Sequence, residues 1–179
     1  MPRNAQVAML LGLLDEAFER KAWHGPNLRG AIRGVTATQA AWRPAPGTHN
    51  IWELVLHAAY WKYAVRRRLT GEKRGSFDLK GSNWFTSPQR AVHRPRTPIP
   101  SPGRGKGSPE TAEGAWRSDV ARLAEQHRQL RAAVARLADA DLPKRSKGSR
   151  NSNLVLVRGI AAHDLYHAGQ IQLLKRLQR

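Results

Sequence analysis

The sequence contains no cysteine among its 179 residues. Disulfides, thiolate metal sites and cysteine nucleophiles are therefore all excluded, and any metal site must use histidine and carboxylate. Long apolar runs are missing too. Nothing approaches the roughly 20 consecutive apolar residues a membrane helix needs, and the opening MPRNAQVAMLLGLLDEAFER turns acidic and amphipathic where a signal peptide would reach its cleavage site. The expectation is a soluble, cytoplasmic protein with no membrane partner. Acidic residues are scarce: 13 stand against 31 lysines and arginines, a formal charge of +18. Such a field attracts polyanions at low salt, so nucleic acid is a candidate partner through non-specific electrostatics.

What is present is helical periodicity. With 40% apolar residues and this length, the chain 1–179 is expected to close one core as a single domain. Residues 5 to 23 read as a helix through Val7, Leu10, Leu11, Leu14, Phe18 and Ala22, bent at Gly25-Pro26 and continuing through Leu28, Ile32 and Val35 to a limit at Gly34. TATQAAWRPAPGTHN is a connector with room for one helical turn. A second helix follows from Ile51 to Leu69, with Asn50 as its cap, Glu53 as the return partner of a capping box and Gly71 as its stop. The third and fourth helices cover about 111 to 138 and 153 to 177.

Between the second and third helices, residues 72–110 read as a long loop carrying eight basic residues against three acidic ones. Its Trp84-Phe85 pair is expected to dock on something apolar. Four long amphipathic helices without a convincing strand predict an all-α fold, an antiparallel four-helix bundle interrupted by this basic loop.

The chemistry lies in the histidines. In the fourth helix Leu156, Ile160, His163, His167, Ile171, Leu174 and Leu177 form one continuous stripe, and in the second Leu54, His57, Ala58, Trp61, Val65 and Leu69 form another. Three imidazoles thereby point into one core. Leaving a buried ring nitrogen unpaired costs roughly 1–3 kcal/mol, and either a protein partner or a metal ion can supply the contact. Two histidines at i and i+4 with a third from a facing helix can hold one divalent ion and leave a position open for water.

Other residues carry two readings each. Glu53 is a helix cap or an acceptor for His57. Trp61 is core packing or a substrate wall, Gln170 a helix–helix bond or a pocket group, and Trp84 a dock for the loop or part of the pocket. Asp164 is expected to pair with a basic neighbour. His49, His93 and His127 are expected at the surface, and His24 lies at the bend of the first helix. No general acid or base stands out.

The segments GTHNIWELVLHAAYWKYAVRRRLTG and IAAHDLYHAGQIQLLKR, with RPAPG and NWF between and before them, resemble the DinB-like (YfiT-like) family of metal-dependent hydrolases and thiol transferases. The resemblance implies a four-helix bundle and frequent homodimers. It also implies a zinc, nickel or similar ion on His57, His163 and His167, and reactions that draw on a low-molecular-weight thiol with a small-molecule substrate. A hydrolase and a thiol S-transferase both remain open. So does a basic nucleic-acid-binding bundle whose metal site is structural or vestigial.

Overall fold

A computed structural model of the protein describes residues 4–86, 109–146 and 149–179. Six α-helices and no strand occur among them: α1 (Ala5–Phe18), α2 (Leu28–Ile32), α3 (Ala37–Ala41), α4 (Ile51–Thr70), α5 (Pro109–Ala135) and α6 (Asn153–Leu177), with one 3₁₀ turn at Asp139–Asp141. The all-α expectation holds. The segment 87–108, with His93, lies outside the described residues, whereas Pro109 and Glu110, expected in the loop, already belong to α5.

The first expected helix is shorter than its apolar pattern. It stops at Phe18 because Glu19 turns to φ −144° and the amides of Glu19 and Arg20 both close on the Asp15 carbonyl. The following segment is a separate element and no bent continuation. Asn27 starts it, accepting from the Gly30 amide at 2.8 Å while its own amide donates to the Arg20 carbonyl at 2.8 Å. Gly34, at φ +72°, ends it as expected. The start of α1 is capped from a distance: the Asp139 carboxylate accepts from the Gln6 and Val7 amides at 3.1 and 2.9 Å.

The connector's single helical turn, α3, is held by a Thr36/Gln39 capping box. For α4 only half of the expected box forms. The Asn50 side chain accepts from the Glu53 amide at 2.8 Å, but the Glu53 carboxylate turns away to Arg43 and to His49 Nδ1 at 3.1 Å. A cation and an imidazole outcompete a backbone amide for a carboxylate already 5% exposed. Gly71, at φ +75°, ends the helix.

Packing fixes α4 at the centre, against α3, α5 and α6, while α1 lies on α5 and α6. Two buried tryptophans tie these layers. Trp52 Nε1 donates to Asp119 of α5 at 2.6 Å, and Trp116 Nε1 of α5 donates to the Val35 carbonyl at 2.7 Å. One apolar cluster gathers α2, α3, α4 and the Phe77 and Phe85 side chains; a second gathers α1, Val134, Leu156 and Ile160. Phe77 and Phe85 pack against Tyr60, so residues 72–86 do dock on an apolar face.

Buried within this core is a polar centre. Lys62 of α4 and Asp164 of α6 are each 0% exposed and form an ion pair. Lys62 Nζ also lies 3.3 Å from His127 Nδ1 of α5. The pairing of Asp164 with a base was expected. His127 at the surface was not borne out: it is 1% exposed, stacked on Phe18 with ring centroids 3.9 Å apart. Its neighbours Gln126 and Asp119 are buried too, because α5 is sandwiched by α1 and α4 and so hides a wider stripe than one facing surface requires.

Candidate metal centre

The α4 and α6 stripes bring His57, His163 and His167 together. His163 Nε2 lies 3.1 Å from His57 Nε2 and 3.0 Å from His167 Nε2. The three donor atoms fall within 4.8 Å of one another, with His57 and His167 buried and His163 half-buried.

Outer partners fix which nitrogen carries hydrogen in two of the rings. His57 Nδ1 donates to the Asn83 carbonyl at 2.7 Å and His167 Nδ1 to Gln170 Oε1 at 2.6 Å. Both oxygens only accept, so both Nε2 atoms present lone pairs to His163. His163 Nε2 can offer at most one hydrogen to two acceptors. Additional protons are disfavoured, since burial pushes the His57 pKa down to about 4 and that of His163 to about 3, and lowers that of His167 as well. Three convergent neutral donors with too few hydrogens between them fit a Lewis acid. At ion–nitrogen distances near 2.0–2.1 Å, tetrahedral donors stand about 3.3 Å apart, close to the spacing found.

The residues around the triad each have defined contacts. Gln170 orients His167. Trp61 is a packing residue: it touches both apolar clusters and its Nε1 donates to Asn83 Oδ1 at 2.8 Å. Glu53 does not reach His57, because Asn83 occupies Nδ1; it holds His49 instead, and Arg43 and His49 keep its carboxyl below the usual range despite its burial. Trp84 lines the pocket beside the triad. Its ring is sandwiched between His57 at 3.8 Å and His49 at 3.5 Å. His49 is indeed exposed, as is His24, which lies away from the triad beside Leu13 and Val155.

Sequence reasoning missed Asn83 as an individual residue. It holds φ +65°, a conformation asparagine tolerates better than most side chains, and this turns its carbonyl to His57 and its amide oxygen to Trp61. Its place in NWF, beside the aromatic pair, was the available signal. Lys62 was missed too, although a single lysine inside AAYWKYAV stands out in an otherwise apolar and aromatic run.

A pocket of about 670 Å³ opens onto the triad. A helical fold whose packed helices present three convergent neutral imidazoles at the floor of a pocket fits a metal-binding protein. The sequence signature of the DinB superfamily matches residues 21–171, and the chain belongs to that family. No curated protein and no solved structure matches it.

Proposed function

We propose that this DinB superfamily protein is a metal-dependent enzyme, a hydrolase or a small-thiol-dependent transferase, built as one antiparallel four-helix-bundle domain. The observation that carries the proposal is the Nε2 triangle of His57, His163 and His167 with its shortage of hydrogens. These three residues would hold a divalent ion of the zinc or nickel kind, which when bound lowers the pKa of a water or thiol into the neutral range.

The chain's own residues do the rest. Asn83 and Gln170 hold the rings of His57 and His167 with Nε2 facing inward, as the outer partners of metal-ligating histidines do. Trp84 shields one face of His57 from solvent. Neutral imidazoles leave the ion's positive charge uncancelled, which favours an anionic donor at the open position. The chain has no cysteine, so in the transferase form the thiol comes from a small cosubstrate.

Elemental analysis of purified protein tests this. The expected result is close to one divalent ion per chain and its loss in His163→Ala with the helical spectrum retained. Wild-type protein that is metal-free and cannot be loaded with zinc, nickel or cobalt overturns the proposal.

A further inference from the structure

The pocket above the triad has a character opposite to that of the chain as a whole. The protein carries +18, yet the walls here are Pro44, Leu54, Trp84, Tyr166, Leu173 and Leu174. No lysine, arginine or carboxylate is among the described residues that line it, and Thr48, His49 and Gln170 each make a bond within the protein. Thr48 Oγ1 donates to the Ala45 carbonyl at 2.7 Å, His49 Nδ1 pairs with Glu53 at 3.1 Å, and Gln170 Oε1 accepts from His167. The adjacent guanidinium, that of Arg43, is held by Glu53 at 2.9 Å and by the Thr48 carbonyl. Both faces of Trp84 are covered by imidazoles, so it offers a ligand its edge.

A ligand entering this pocket therefore meets mostly apolar surface on its body, no counter-charge among the described lining residues, and imidazole lone pairs at the floor. We infer that the pocket takes a compact molecule with an uncharged, apolar body and a single donor atom directed at the three histidines. This substrate class rests on the metal proposal above. A second charged group on the body would lose water against Leu54 and Leu174 without gaining a counter-charge among the described residues. The volume of about 670 Å³ lies within the range of small-molecule sites and admits a substituted ring with room to spare.

The experiment compares benzyl mercaptan with 4-(mercaptomethyl)benzoate, which share donor and ring and differ by one carboxylate. Each is titrated into cobalt(II)-loaded protein and followed by the cobalt absorption bands. Benzyl mercaptan is expected to bind at least about tenfold more tightly, as burial of an unpaired charge requires. In Leu173→Arg, a change at a 58% exposed wall position, the new guanidinium should bring the two affinities to within roughly threefold. Equal affinities in the wild type, or tighter binding of the benzoate, overturn the inference.

Failure of the metal proposal gives a different pattern. If cobalt does not bind, the same pair is titrated into the metal-free protein by tryptophan fluorescence. A preserved preference for the uncharged thiol then upholds the pocket inference alone, and no saturable quenching by either compound overturns both.

Discussion

Replacing Lys62 with methionine leaves Asp164, 0% exposed, without its cation at the centre of the core. Asp164 Oδ1 already has no protein partner, and Lys62 is the one group that Oδ2 contacts among the described residues. Removing one member of a fully buried ion pair costs about 3–5 kcal/mol, because the remaining charge must be neutralised or solvated in place. For a protein of this size that corresponds to a fall in Tm of very roughly 6–20 °C. The double variant Lys62→Met/Asp164→Leu removes both desolvation penalties while filling similar volume, and should recover to within about 1 kcal/mol of wild type or exceed it. Urea denaturation at neutral pH, with the slope of each transition compared, measures all four corners of the cycle. If Lys62→Met costs under about 1 kcal/mol, or if the double variant is as unstable as the sum of the singles, the pair is not behaving as a buried, mutually dependent unit.

Acid should destabilise the metal-free protein well above the carboxylate range. His57, His127 and His163 have folded pKa values pushed down to about 4, 3 and 3 by burial. Protons therefore bind the unfolded chain first as pH falls through about 6.5, and each histidine should remove about 2 kcal/mol by pH 5. Urea midpoints that stay level between neutral pH and about pH 5 contradict this. Gln170→Ala removes the acceptor that orients His167 and is expected to weaken zinc binding about 10–100-fold with little change in Tm; a competition titration with a chromophoric chelator measures it, and an unchanged Kd refutes the role. Duplex DNA should bind through charge alone, with affinity falling steeply between low and physiological salt and equal in wild type and His163→Ala. Salt-insensitive binding in a filter or polarisation assay excludes that account.

The features legible in the sequence were those set by helical periodicity. The α6 boundaries, expected at about 153 and 177, match the observed helix, and the convergence of His57 with His163 and His167 follows from two stripes at matching depth. Features set by competition between distant groups were not legible. The early end of α1 depends on the doubled closure onto the Asp15 carbonyl and on Asn27 reaching back to Arg20. Glu53 has the sequence position of a capping-box partner but is taken by Arg43, ten residues earlier, from a connector that reads as irregular. His127 sits between Gln126 and Arg128, so its flanks resemble a solvated face; its burial follows from α5 being covered on two sides, which no single-helix pattern encodes.

Two clusters of buried polar groups thus share α4 and α6, and the contrast between them bears on function. At Lys62, Asp164 and His127 the chain supplies its own counter-charge, and acid, base and imidazole lie in direct contact. At His57, His163 and His167 it supplies three bases and withholds the acid: two rings have their hydrogens drawn to the outside by Asn83 and Gln170, and burial resists a further proton. A carboxylate or a lysine at one corner of the second cluster would have given it the kind of ion pair that Lys62 and Asp164 form in the first. An electron-pair acceptor from outside the chain, as proposed above, would supply the missing partner. The pocket lined by Leu54, Trp84 and Leu174 gives such an acceptor a route to all three rings.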